Sequence, residues 1–451
     1  MNWLFLILRF FRAKGGYFWL NALWGALAVY LTLPLFGHVS TVPLLYHYSL
    51  KYLVYLLVHV LLITLFLAAI VAFDRRINRY IFFTTAFLIL SLEISVRVIF
   101  EDGLGKQNTF RLPVPYRMHA GLPHAVYEFE TLDAVDRVNA IDTLNVLGFR
   151  GRLPPHLKGG EYRIIMLGGS TVLNKLSTVD SSLPGQLEKH FRDDGFERVR
   201  VYNWGGIAYV SGQELSLLLN EVTNYDPDLV LVYDGANDIC HRWWYDPRPG
   251  YPYNFLVYEE GMSRMGRMSA GDIALAVLQK SRLLGILFPQ SMIRQILGYE
   301  GLREKAGYGT AEWERAIVAS YIGNIEKMCS LAHGFEFKLM VFLQPVIHLK
   351  RSLTEAERRM TKGEPFTNYT RRMYASVSEE FLRLNGRHEA DALCRYVDFH
   401  LIFSDRPERT YDDYVHITDS SRAYIAEHMY SEVIEFLGDD LPERGTSARI
   451  R

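Results

Sequence analysis

The chain has 451 residues, with 49 Lys and Arg against 50 Asp and Glu and a formal net charge of −1. That length allows one large domain with appendages, or two domains. The even charge balance supplies no basic excess for a nucleic-acid partner and no acidic excess for a solvating tail. Hydrophobic residues make up 49 % of the chain but crowd into its first hundred positions, so two differently built parts are expected.

Three apolar runs come first: Tyr17–Phe36, Leu50–Phe73 and Tyr80–Phe100. Each is close to the roughly 20 residues that a helix needs to cross about 30 Å of hydrocarbon. Three transmembrane helices, 17–36, 50–73 and 80–100, are therefore expected, rather than a cleaved signal peptide. Arg9, Arg12 and Lys14 precede the first run, and Arg75, Arg76 and Arg79 lie between the second and third, while the loop 37–49 has no Lys or Arg. Basic loops stay in the cytoplasm. The expected placement is thus a multi-pass protein of the cytoplasmic membrane, N-terminus inside, with everything after Phe100 outside. Glu93 and Arg97 stand four apart in the third run, as an intrahelical pair near its outer end or a contact with another membrane subunit.

Residues 101–160 form a connector rich in Pro, Gly and His, in which NVLGFRGR (Asn145–Arg152) is expected to be extended. From residue 161 to 438 strand and helix patterns alternate. Strands are expected at Tyr162–Gly168, Val199–Tyr202, Asp228–Tyr233, Phe337–Leu343 and Arg395–Phe399. Helices are expected at Ser182–Asp194, Ser211–Asn224, Ala311–Ala332, Tyr369–Leu384 and Ser420–Leu437. Near-continuous apolar strands between helices indicate a mostly parallel sheet covered on both faces. The fold class is α/β, a doubly wound five-stranded sheet of flavodoxin-like type, whose sites lie beyond the carboxyl ends of the strands. Residues 240–310 break the alternation and are read as an insertion, and 439–451 as a C-terminal tail. The three cysteines, Cys240, Cys329 and Cys394, lack metal-ligand spacing. They are read as thiols in or near the core, one bridge among them being possible but unassignable.

Four short segments fall at the sheet's expected carboxyl edge: LGGST (167–171), NWGGIAYVS (203–211), YDGAND (233–238) and DDYVH (412–416). Ser170 follows the first strand. His416 is the histidine whose setting supplies an orienting carboxylate at short range, with Asp413 three residues earlier and Asp412 a less well spaced substitute. A hydroxyl nucleophile needs such a base, and the base needs an orienter. Asn237, with Asp238, opens the helix after the third strand, where it serves as an oxyanion donor or as a helix cap. Trp243 and Trp244 are candidate substrate-binding walls of the cleft, or plain packing. His241 is read as structural.

Together these segments resemble the SGNH hydrolases, the GDSL-type lipases and acylhydrolases, over about residues 150–438. The resemblance implies that Ser170 is the nucleophile, His416 the base and Asp413 its orienter. It implies oxyanion donors at the Ser170 N–H, the Asn237 side chain and the main-chain N–H of Ala208, where the family has glycine; Gly205 or Gly206 could serve in a shifted register. Gly169 stands where many relatives have Asp. The implied activity is ester hydrolysis or O-acyl transfer outside the cytoplasm on acyl or acetyl esters of envelope or exported polysaccharide, or on a lipid ester. No metal or organic cofactor is expected, and the partners are the bilayer and other envelope membrane proteins. The alternative is a non-catalytic assembly or binding component of a cell-envelope system that keeps the fold.

Overall fold

In a computed structural model, the described residues are 112–130, 139–174, 177–253, 255–256, 258–259, 299–361, 363–387 and 392–444, with isolated positions 53, 57, 61 and 72. Apart from those four positions, the three apolar runs lie outside the described residues, as do the Glu93–Arg97 pair and residues 260–298 of the insertion. Among those described, no helix is long and apolar enough to cross a membrane. The chain divides into two compact units, and the account below concerns the second, Lys106–Lys280 with Leu287–Arg451.

Its first elements are two antiparallel hairpins, β1 (Leu112–Val114) with β2 (Met118–Ala120), and β3 (Val126–Glu130) with β4 (Asn139–Thr143). The α/β domain follows as β5 (Tyr162–Gly168), α1 (Ser170–Leu173), α2 (Leu183–Asp193), β6 (Val199–Gly205), α3 (Ser211–Asn220), β7 (Leu229–Asp234) and α4 (Ala236–Trp244). It continues with α5 (Tyr299–Ala306), α6 (Ala311–Phe335), β8 (Lys338–Leu343), α7 (Glu355–Met360), α8 (Glu364–Arg387), β9 (Cys394–Asp398) and α9 (Asp419–Leu437). The five strands pair in parallel in the order β6-β5-β7-β8-β9. That is the flavodoxin-like arrangement, every crossover carrying a helix back over a sheet face.

Alternation along each strand decides which face a side chain serves. Ile165, Leu167, Val230, Val232, Leu339 and Val341 point to one face and pack with α3, α4, α6 and α8. Ile164, Met166, Leu229, Leu231, Met340 and Phe342 point to the other and pack with α2 and α9. Both faces are covered, which is why the strands read as unbroken apolar runs. Thr310 and Thr418 cap α6 and α9 by accepting from Trp313 N and Ser421 N.

Two expectations change. NVLGFRGR is a tight turn rather than an extended segment. Asn145 Oδ1 accepts from the N–H groups of Leu147 and Phe149, both at 3.0 Å. Gly148 adopts φ +80° and lies against Gly121, where a Cβ would meet the Gly121 oxygen at 2.1 Å. The turn delivers Phe149 to stack on Trp204 with centroids 4.8 Å apart, and buries Arg150.

Second, Cys329 of α6 and Cys394 of β9 are not thiols but form a disulfide, and only Cys240 is a free buried thiol. Spacing could not reveal this pair, because 65 residues separate its members and the fold alone brings them together. His333 lies beside the bridge, but bonded sulfurs offer no thiolate to a metal. Closing a loop of 65 residues removes chain entropy equivalent to about 4 kcal/mol in the unfolded state. Replacing both cysteines by serine is expected to lower unfolding free energy by about 2–4 kcal/mol in urea titrations under oxidising conditions, and wild type with reductant should match the variant. Equal midpoints with and without reductant would contradict the bridge.

Candidate active site

Four loops meet at the carboxyl edge of the sheet. β5 ends at Gly168 because no side chain fits there: a Cβ would meet the Tyr233 carbonyl and Val172, each at 2.5 Å. Gly169 is confined by a side chain rather than by backbone, with the Asn237 amide nitrogen 2.6 Å from where its Cβ would lie. The chain then turns at once into α1, leaving the half-buried Ser170 as its first residue. Asn203 holds this turn from β6, donating from Nδ2 to the Val172 carbonyl at 2.8 Å while its Oδ1 accepts from Gly205 N at 3.0 Å.

His416 reaches the same point from the loop before α9. Its Nε2 is 2.9 Å from Ser170 Oγ, and its Nδ1 is 2.6 Å from Asp413 Oδ2. Asp413 Oδ1 accepts from the main-chain N–H groups of Val415 and His416 at 2.8 and 2.7 Å. Burial pushes the Asp413 carboxyl up, but the His416 bond and these main-chain donors outweigh it, so the group lies below its ordinary range and is held as carboxylate. A carboxylate on Nδ1 fixes the tautomer with a proton on that nitrogen, so Nε2 presents a lone pair to the Ser170 hydroxyl. Asp412 is occupied elsewhere, paired with Arg409 at 2.7 Å.

The loop carrying this geometry is anchored from below. Glu357 is buried, accepts from Lys350 Nζ at 2.8 Å, and takes N–H bonds from Thr410 and Tyr411 at 2.8 and 3.2 Å. Burial raises its carboxyl, yet these donors pull it down to about 2. A nearby carboxylate does not by itself single out His416. Asp398 also pairs with His400, Oδ1 to Nδ1 at 2.5 Å, at the end of β9. What distinguishes His416 is its contact with Ser170.

The remaining candidates divide. Asn237, at the start of α4, donates one amide hydrogen to the Tyr209 carbonyl at 2.8 Å, with its nitrogen beside Gly169. Gly206 N donates to the Gly168 carbonyl at 2.9 Å, so the 205–209 loop runs along the β5–α1 turn. Ala208 lies within that loop at φ +56°, the left-handed conformation that a glycine adopts freely and an alanine at a cost of about 1–2 kcal/mol. Asp238 does not reach Ser170: its two oxygens accept from Ser211 N and Oγ at 2.9 and 2.6 Å, which caps α3. Trp244 stands against Tyr414 of the DDYVH loop, edge to face at 4.9 Å. Trp244 also packs on Phe366 of α8 at 4.2 Å, while Trp243 packs with Tyr308 and Tyr369 in the same aromatic layer. His241 is buried, and burial, then Arg242, pushes it down to about 3, so it is neutral.

Sequence reading missed a buried acidic group beneath α4. Glu214 of α3 and Asp234 at the end of β7 are buried among the core side chains, and Tyr321 donates to Asp234 at 2.6 Å. Burial, with Asp234 and Asp238 close by, holds Glu214 well above the carboxylate range, and burial also pushes Asp234 up to about 7. These groups keep protons in the folded chain that the unfolded chain releases above about pH 4. Stability should therefore fall as pH rises from about 4 through about 7. Glu214→Gln removes one of these protons from the balance and should flatten that decline in melting temperature; parallel curves for variant and wild type would exclude the shared burial as its cause.

No protein-family model matches the chain, and no curated protein does. Among solved structures it is similar to proteins described as esterases, lipases and acylhydrolases, some of them GDSL-like. An acetyl xylan esterase is 14 % identical with a TM-score of 0.32, the match covering 60 % of this chain and 100 % of that one. A putative acylhydrolase from Bacteroides fragilis is 14 % identical with a TM-score of 0.33, over 64 % of this chain and 92 % of that one. A lipase/acylhydrolase from Enterococcus faecalis is 14 % identical with a TM-score of 0.33, over 60 % and 95 %.

Proposed function

We propose that this protein is a serine esterase or acylhydrolase, with Ser170 as nucleophile, His416 as general base and acid, and Asp413 as the group that orients His416. The single observation that carries the reading is the continuous chain Asp413–His416–Ser170, with contacts of 2.6 and 2.9 Å. A packing histidine needs no hydroxyl on one nitrogen and a carboxylate on the other. The same contact favours catalysis over a binding component that merely keeps the fold.

In the proposed reaction Ser170 Oγ attacks the ester carbonyl carbon while its proton passes to His416 Nε2. Asp413 stabilises the imidazolium that forms. The carbonyl electron pair moves onto oxygen, which the Ser170 N–H, the Ala208 N–H and the second Asn237 amide hydrogen meet as donors. Collapse expels the alcohol, protonated by His416, and leaves an acyl-serine. Water, or a carbohydrate hydroxyl, then gives its proton to His416 and attacks the acyl carbon; His416 returns that proton to Ser170 Oγ as the acyl–Oγ bond breaks, releasing a carboxylic acid or a new ester. The substrate class proposed is acyl or acetyl esters of envelope or exported polysaccharide, with Trp244 as a wall of the approach. That class is argued from location: the three apolar runs and their basic flanks favour a chain anchored in the cytoplasmic membrane with its α/β domain outside.

Two measurements test these statements. Full-length protein in detergent should label with a fluorophosphonate and hydrolyse p-nitrophenyl acetate. Ser170→Ala should abolish labelling and lower kcat by at least about a hundredfold, because nucleophile and base act as a unit. Persistent labelling in that variant would remove Ser170 from the mechanism. For location, a reporter active only outside the cytoplasm should work when fused after Gly438 and fail when fused at Arg76. The reverse pattern would refute the orientation without touching the chemistry.

A further inference from the structure

The segment between residues 112 and 150 lies against the loop that bears Ala208. Tyr209 Oη donates to the His119 carbonyl at 2.7 Å, and Arg117 Nη1 donates to Tyr209 Oη at 3.1 Å. Gln213 Nε2 donates to the Arg117 carbonyl at 2.6 Å, and Arg117 also pairs with Glu221 at 2.5 Å. Within this strap the His119 ring is buried, 1 % exposed, and its Nε2 lies 2.7 Å from the carbonyl oxygen of Ile207. A carbonyl only accepts, so Nε2 carries the hydrogen and donates.

The Ile207 carbonyl and the Ala208 N–H belong to one peptide group. That group is planar, with its C=O and N–H pointing in opposite directions. Whatever holds the oxygen therefore aims the N–H. We infer that His119 is a positioning residue, which fixes the Ile207–Ala208 peptide so that its N–H serves as an oxyanion donor; this rests on the esterase reading above.

Two physical arguments support the role. Ala208 is held at φ +56°, where an L-residue is strained, so rotation of the peptide would relieve it unless the carbonyl were tied down. Nothing else among the backbone hydrogen bonds of the described residues ties it: the loop is pinned on either side, at Gly206 N and at the Tyr209 carbonyl, but not at that peptide. A hydrogen bond accepted by a peptide oxygen also polarises its N–H, and burial shields that bond from water. His119 would thus let an alanine do what a glycine does unaided.

The test compares His119→Phe, which keeps a ring but no donor, with His119→Gln, whose amide nitrogen can reach the same oxygen. All are full-length proteins assayed with p-nitrophenyl acetate beside Ser170→Ala. Losing one oxyanion donor costs about 10²–10³ in kcat, and misaiming one should cost roughly tenfold to a hundredfold. The donor acts only in the transition state, so KM should change little. His119→Phe is therefore expected to lose kcat at constant KM, and His119→Gln to recover most of it. Wild-type kcat in His119→Phe, or no recovery in His119→Gln, would overturn the inference while an inactive Ser170→Ala left the esterase reading standing. Activity in Ser170→Ala would instead overturn that reading and this inference with it. If His119→Phe fails to fold, His119→Gln is compared with His119→Asn, whose shorter amide cannot reach Ile207; equal kcat in those two would count against positioning.

Discussion

Between the last residue of β5 and Ser170 the backbone passes a point closely bounded on both sides. At Gly168 the neighbouring carbonyl of Tyr233 occupies the space, and at Gly169 the Asn237 amide does. This close approach sets the rest of the site. It lets Asn237 lie against the β5–α1 turn, lets Gly206 bond to Gly168, and leaves the Ser170 hydroxyl as the first side chain to emerge.

A second layer holds these loops against one another through buried polar groups. Asp238 takes both hydrogen bonds that Ser211 offers, and Asn324 Nδ2 donates to the same Ser211 hydroxyl at 3.0 Å. So α3, α4 and α6 are joined beneath Asn237. Arg242 is buried near Asp238 and Asp246, which oppose the drop in basicity that burial imposes. Glu214 and Asp234 have no such cation among the causes that shift them, and their burial favours the protonated form. Buried polar networks of this kind add little net stability, but breaking one partner leaves the other unpaired and costly. Their value here is register: each element that carries a proposed oxyanion donor has its neighbours fixed to it.

How much of this was legible in the sequence depends on the range of the interaction. The five strands could be read because burial on both faces makes them continuously apolar, and their ends moved by only a few residues. β6 runs on to Gly205 rather than stopping at Tyr202, because Trp204 and Gly205 continue the pairing with Leu167 and Gly168. The Asp413–His416 pair could be read because three residues separate its members. Ser170 needed the strand that precedes it. What was not legible joins distant segments through the fold. The Cys329–Cys394 bridge, the Glu214–Asp234 burial and the strap at Arg117–Ala120 have no local pattern. The connector looked like a linker because its Gly, Pro and His residues match loop composition, whereas Gly121 and Gly148 are there to let two backbones touch. Trp243 and Trp244 looked equivalent, but adjacent helical residues point about 100° apart, and only one faces the DDYVH loop.

In the proposed reading, Ala208 keeps a main-chain donor at a position where the side chain is alanine rather than glycine. The donor in question is a main-chain N–H, so side-chain identity enters only through the backbone angles it permits. An alanine at φ +56° gives up about 1–2 kcal/mol relative to its preferred region, which is comparable to one hydrogen bond between neutral groups. The bond from His119 to the same peptide is of that size, and the Tyr209 and Gln213 bonds to the strap keep His119 in place. The strained loop and the segment at 117–120 therefore offset one another. Removing either leaves the other without its reason, which is why the strap belongs with the site rather than with the linker its composition suggests.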